Sequence, residues 1–330
     1  MVTPGRNVAP LRVVFFGTPA FAVPTLESLI RSRHDVVGVV TQPDRPSGRG
    51  QRLTMGPVKR VALDHDLPVL QPVRMRDPAL ASALRAWNGD LGVVAAYGRL
   101  LPQALLDVPR LGMINVHASL LPKYRGAAPV QRAVMAGESE TGVTIMRVVQ
   151  ELDAGPMLGS RVVPIGPDDT SEGVESALAF LGAALLCSVV DEVAAGRAVE
   201  EPQDVSGATY APRLSKSDGL IDWSRPARRI HDQIRGLHPW PHAFTFLGRD
   251  RYIVLKSRLG PVTVGSADRE RPHGRLVPGE ILAATGDELV VSCGDTALVI
   301  LEIQAEGRRA QPVREFLSGH PLHPGQRFGG

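Results

Sequence analysis

"LRVVFFGTPAFAVPTLESLIRSRHDVVGVVTQ", residues 11–42, decides the fold class. "LRVVFFG" is an apolar strand run halted at Gly17 and Pro19. "FAVPTLESLIRS" is amphipathic, and its Pro24 is tolerated only in the first turn of a helix. "DVVGVVTQ" is a second strand run. Strand, helix and strand in that order make a parallel pair joined by a crossover.

Working outward, the pattern recurs. "GPVKRVALDHD" reads as helix, "LPVLQP" as a short strand, "DPALASALRAW" as helix and "LGVVAAYG" as a continuously apolar strand. Strands apolar on both faces belong to sheets covered on both sides. "GMINVHAS" is the next strand, "AAPVQRAVMAGE" the next helix, and "TGVTIMRVV" with "GSRVVPI" a closing strand pair. A long helix from about Thr170 to Arg197 follows. These features predict a Rossmann-like, mostly parallel α/β domain over residues 1–204. From about Ala198 to Ser217 periodicity fades into Pro, Gly, Ser and charge, which suits a linker, set at 205–217. Over 218–330 one helical stretch, "ARRIHDQIRGL", precedes the short runs "AFTFLG", "RYIVLKSRL", "GEILAAT", "DELVVSC" and "TALVILEIQ". Close-spaced short strands predict a small barrel or sandwich.

With 330 residues, 43% hydrophobic and 22% charged, the chain has material for two cores and none of the signature of disorder. No uninterrupted apolar run reaches ~18 residues, so no membrane span and a cytosolic location are expected. Two cysteines, Cys187 and Cys293, offer neither metal spacing nor a disulfide framework. The net charge of +3 is uneven. Residues 205–330 carry 17 Lys and Arg against 13 Asp and Glu, a net +4, which tilts that part towards a polyanionic partner.

"GTPAFA" has one Gly where a dinucleotide fingerprint needs three, so Gly17 reads as a tight strand-to-helix turn. "NVHASLLP" is more specific. Asn115 and His117 are two apart and share a strand face. At the carboxyl end of a parallel strand, an amide can hold a carbonyl oxygen while an imidazole moves protons. A capping Asn beside a core His is the plainer reading of the pair. In "VVQELDAGPM", Asp153 ends another apolar run, where a carboxylate could fix the tautomer of His117 or simply make a turn. "TQPDRPSGRGQRL" presents Arg45, Arg49 and Arg52, with Lys59 and Arg60 beyond: a solvated loop or a phosphate contact.

The stretch "NVHASLLPKYRGAAPVQRAVMAGESETGVTIMRVVQELDAGPML" resembles the core signature of the 10-formyltetrahydrofolate-dependent formyltransferase family. "GTPAFAVPTLESL", "TQPDRPSGRG", "VVAAYGRLLP" and "LSKSDGLIDWS…IRGLHPWP" are similar to those members that formylate methionyl initiator tRNA. The resemblance runs from about Leu11 to beyond Gly307 and implies an OB-like fold for the C-terminal part. It implies catalytic roles for Asn115, His117 and Asp153. It also implies folate contacts at Tyr97, Gly98, Leu100, Ser119, Leu120, Leu121 and Pro122, and tRNA contacts at Arg45, Arg49 and Arg52. Ala118 stands where the family often has Gly. The expected co-substrate is 10-formyltetrahydrofolate with no metal, and the expected partner is initiator methionyl-tRNA, met by a cytoplasmic monomer without a membrane. Rival readings are formyl transfer to a sugar-nucleotide amine, hydrolysis of formyltetrahydrofolate, and a tRNA-binding module without catalysis.

Overall fold

A computed structural model describes residues 9–47, 52–260 and 277–329. In chain order the elements begin with β1 (Arg12–Gly17), α1 (Val23–Arg31) and β2 (Asp35–Val40). A hairpin of β3 (Arg45–Ser47) and β4 (Arg52–Thr54) precedes α2 (Pro57–Asp64), β5 (Val69–Leu70), α3 (Pro78–Ala86) and β6 (Leu91–Ala95). Next are α4 (Gln103–Leu106), β7 (Met113–His117), β8 (Arg125–Gly126), α5 (Pro129–Ala136), β9 (Glu140–Arg147) and β10 (Met157–Pro164). The 24-residue α6 (Ser171–Ala194) and β11 (Tyr210–Ala211) follow.

Two compact units emerge. The first takes residues through Pro129, Glu140–Val163 and Glu175–Ala211; the second takes Val130–Ser139, Pro164–Val174 and the described residues from Pro212.

Among the described residues of the first unit, the main sheet has seven strands in the order β10-β9-β7-β6-β1-β2-β5. β5, β2, β1, β6 and β7 run parallel, and β9 is antiparallel to β7. The chain winds from β1 out to β5, then returns to the other side of β1 as β6. The order therefore reverses between β1 and β6, the place where open α/β sheets form a crevice at their carboxyl ends. Local signals explain the helices: Pro57 and Pro78 open α2 and α3, and the Asp77 carboxylate accepts the Ala79 N–H at 2.9 Å. The core gathers Val14, Phe16, Val40, Leu84 and Tyr97, with Tyr97 edge-on to Phe16. α6 is long and apolar enough to cross a membrane, yet half of its most apolar stretch is buried in the protein. Its Gly182 lets it lie close to the sheet: a Cβ there would come within 2.8 Å of Val116 and 3.1 Å of Val143.

Part of the 205–217 stretch expected as a linker is built into the structure, and so is Gln203 just before it. Gln203 and Ala211 are buried, and β11 pairs in parallel with β8.

The second unit contains α7 (Ala227–Gly236), β12 (Ala243–Leu247), β13 (Asp250–Leu259), β14 (Ile281–Thr285), β15 (Glu288–Ser292), β16 (Ala297–Ala305), β17 (Gln311–Pro312) and α8 (Val313–Gly319). Its antiparallel sheet runs β12-β13-β16-β15-β14, with β17 on β16. The chain's last residues join its two edges. Gly329 exchanges backbone hydrogen bonds with Phe246 of β12, while Gln326 and Phe328 bond to Ile281 and Gly279 at β14. This makes the sheet a small barrel, and its core holds Trp223, Tyr252, Val254, Ile300 and Phe328. The carbonyl oxygens of Gly166 and Asp169 accept from Arg235 of α7, which draws the 164–174 segment into this unit.

Candidate active site

β7 places the first two candidates. Val116 packs towards α6, so strand alternation turns Asn115 and His117 to the opposite face. Asn115 pairs with Val94 of β6 and Met146 of β9, and His117 with Thr144. Asn115 is half-buried and His117 is buried.

Nε2 of His117 lies 3.1 Å from the carbonyl oxygen of Tyr124. A carbonyl only accepts, so Nε2 carries the proton, and the lone pair of the neutral ring sits on Nδ1. Nδ1 faces Oδ2 of Asp153 at 3.7 Å. That oxygen also accepts the Gly126 N–H at 2.8 Å. The structure thus brings Asp153 to His117 across 36 positions of sequence, and the loop that does so has little freedom. A Cβ on Gly155 would collide with the Arg147 carbonyl oxygen. Asp153 itself adopts a left-handed backbone at φ 48°. Tyr124 at φ 59° and Ala96 at φ 45° do the same beside the neighbouring strand ends. Residues held in such conformations gather where a site demands a particular geometry.

The other candidates divide by role. Tyr97 is buried, with its hydroxyl directed to Met75 Sδ at 3.3 Å, and burial pushes its phenol up. Only its main chain can face a ligand, and the carbonyl there accepts from Gln42 Nε2 at 2.7 Å. Gly98 at φ 76° continues the turn, and Leu100 is 72% exposed. The Ser119 hydroxyl is buried and donates to the Lys123 carbonyl at 2.6 Å. Thr144 braces the same turn, donating to the Ser119 carbonyl and accepting the Leu121 N–H. Leu121 is buried, whereas Leu120 and Pro122 are half-buried.

The basic loop roots in this network. Arg45 donates to Gln42 Oε1 at 2.7 Å, and Lys59 to Asp44 Oδ2 at 2.6 Å. The Lys59 and Gln71 hydrogen bonds hold the Asp44 carboxyl below its usual range. Arg45 is exposed. Arg49 lies outside the described residues; Arg52 is described only as the first residue of β4. Among the described residues no group of three His, Cys, Asp or Glu side chains could hold a metal ion.

Two residues were missed by reading the sequence. Arg125 is buried, and its Nε and Nη2 donate to Gln203 Oε1 at 3.1 and 2.8 Å. Gln203 Nε2 in turn donates to the carbonyls of Asp153 and Gly155 at 2.9 and 2.7 Å. Gln203 sat in an aperiodic stretch, which carries no signal of burial.

A parallel sheet with this constellation at its carboxyl edge fits the class that moves one-carbon groups. The family model for formyl transferases matches residues 11–190, and the model for the formyl transferase C-terminal domain matches residues 213–321. The methionyl-tRNA formyltransferase of Geobacter sulfurreducens is 46% identical over 98% of both chains. That of Pseudomonas fluorescens is 48% identical over 91% of both. The chain belongs to the methionyl-tRNA formyltransferase family. At the level of fold, an N-formyltransferase from Helicobacter canadensis, solved with folinic acid and dTDP-3-aminofucose, superposes with a TM-score of 0.65 at 16% identity. It covers 89% of this chain and 99% of its own.

Proposed function

We propose that the protein transfers the formyl group of 10-formyltetrahydrofolate to the α-amine of methionyl initiator tRNA, in the cytoplasm and as a monomer. The observation that supports the chemistry is the Asp153 carboxylate facing His117, which shares its strand face with Asn115. The family membership supports the acceptor.

On this reading the amine nitrogen bonds to the formyl carbon, the bond from that carbon to N10 of the folate breaks, and the amine's proton ends on N10. The Asn115 amide donates to the formyl oxygen as negative charge builds there; such a donor is worth ~10²–10³ in rate. His117, its Nε2–H committed to Tyr124, uses Nδ1 to take the amine proton and pass it on. Asp153 faces the ring as it becomes charged. The main chain of Tyr97 and Gly98, with Leu100, Leu120 and Pro122, would hold the folate. Ser119 and Leu121 shape the turn from inside. Arg45, Arg49 and Arg52 would meet tRNA phosphates, for which a guanidinium has the matching fork.

The test supplies formyl-folate with methionyl-tRNA, with a nucleotide aminosugar, or with water alone, and identifies the formylated product. Formylmethionyl-tRNA is expected. Formylation of the aminosugar instead, or release of formate alone, would replace the assignment.

A further inference from the structure

Arg125 is among the largest side chains that are fully buried in the protein, at 2% exposure. Its carboxylate neighbour Glu151 is distant and wet: 73% exposed, it stands 3.6 Å from Nη1. A buried guanidinium needs acceptors, and Gln203 Oε1 supplies one to both Nε and Nη2. The other end of the same amide donates to two carbonyls, those of Asp153 and Gly155. Asp153 is therefore held twice, by Gln203 on its main chain and by the Gly126 N–H on its carboxylate.

The same stretch of chain also holds the second partner of His117. The Thr209 hydroxyl accepts the Tyr124 N–H at 2.8 Å, and the Thr209 carbonyl accepts the Arg125 N–H at 2.9 Å. The residues after α6 thus brace both groups that face the imidazole, the Tyr124 carbonyl and the Asp153 carboxylate.

We propose that Gln203, fixed by Arg125, is a positioning residue for the transfer reaction: it sets the Asp153 carboxylate against His117. The inference rests on the function proposed above. The residue type is what the task demands. An amide accepts at one end and donates twice at the other; a carboxylate of the same length accepts but cannot donate.

Gln203→Glu separates positioning from mere support. The carboxylate still satisfies Arg125, so the variant is expected to fold, with a lowered melting temperature because its second oxygen meets the 153 and 155 carbonyls, which it cannot hold. A displaced catalytic group costs up to ~10²-fold. The expected result is kcat lowered ~10- to 100-fold, with KM for formyl-folate and methionyl-tRNA little changed. Placed in an Asp153→Asn background, Gln203→Glu should cost nothing more, because residues acting through one group are not additive. A folded Gln203→Glu with wild-type kcat, or a loss that adds in full to that of Asp153→Asn, overturns the proposal. Should Gln203→Glu not fold, Gln203→Asn keeps the amide and shortens its reach. It is expected to lower kcat at unchanged KM, and a wild-type kcat there overturns the proposal equally. Wild-type protein that does not formylate methionyl-tRNA would overturn the functional reading and this inference together; an active wild type with an unaffected Gln203→Glu overturns only the inference.

Discussion

Nε2 of His117 rests on the carbonyl oxygen of Tyr124 while Nδ1 turns to Asp153, so one ring is read at both nitrogens by two different loops. The Tyr124 contact fixes which nitrogen is a donor in the neutral ring. The Asp153 contact faces the nitrogen left free to take a proton.

His117→Gln uses that division. A glutamine amide can still donate to the Tyr124 carbonyl, but has no base. The variant should keep the melting temperature of the wild type and lose ~10²–10⁴ in kcat, the range of general acid–base catalysis. Activity near wild type would make His117 a packing residue.

Asp153→Asn should lose the negative charge facing Nδ1 while keeping an oxygen that can accept the Gly126 N–H. The expected outcome is a folded protein with lowered kcat and unchanged folate affinity, measured by steady-state kinetics and calorimetric titration. An unaltered kcat would leave Asp153 as a turn residue only.

In the second unit, Phe328 stacks on Trp223 with centroids 6.0 Å apart, and the Trp223 indole donates to Thr245 Oγ1 at 2.9 Å. Thr245 Oγ1 donates in turn to the Gly329 carbonyl. The tail that joins the barrel's edges is therefore anchored by the buried Phe328 ring as well as by its backbone hydrogen bonds. Phe328→Ala should destabilise this unit by ~3–5 kcal/mol, the cost of emptying a buried aromatic site, as read by denaturant melting. A shift within experimental error would mean the tail is not needed for the barrel.

Asp218 offers a pH test. Burial works to raise its pKa, but hydrogen bonds from the Ser215 N–H and hydroxyl and from Arg132 outweigh it and hold the carboxyl below its ordinary range. A carboxyl depressed on folding contributes stability above its unfolded value of about 3.9, and that stability is lost as pH falls through the folded value. Asp218→Asn should therefore be less stable than wild type near neutral pH, and the gap should narrow as pH drops below about 4. A gap independent of pH would show that the charge is not what matters.

Much of this was legible in the sequence for a simple reason: period-two and period-3.6 patterns report burial locally. "LRVVFFG", "DVVGVV", "LGVVA" and "MINVH" announced the parallel strands, and the two-residue spacing of Asn115 and His117 announced a shared face. What was not legible depends on distance along the chain. Asp153 could equally have been a turn residue until the fold brought its loop to β7. Gln203 lay in a stretch without pattern, yet it is buried because a guanidinium 78 positions earlier needs its oxygen. The stretch Gly325–Gly329 is short and rich in Gly, so nothing in its composition signals that it bridges β12 to β14.

The most direct measurement is single-turnover formylation of methionyl-tRNA by Asn115→Ala at saturating formyl-folate. If the amide holds the developing oxyanion, the rate falls ~10²–10³-fold, while the dissociation constants of folate and tRNA stay at their wild-type values. A wild-type rate would contradict the account and move the reacting centre away from the end of β7.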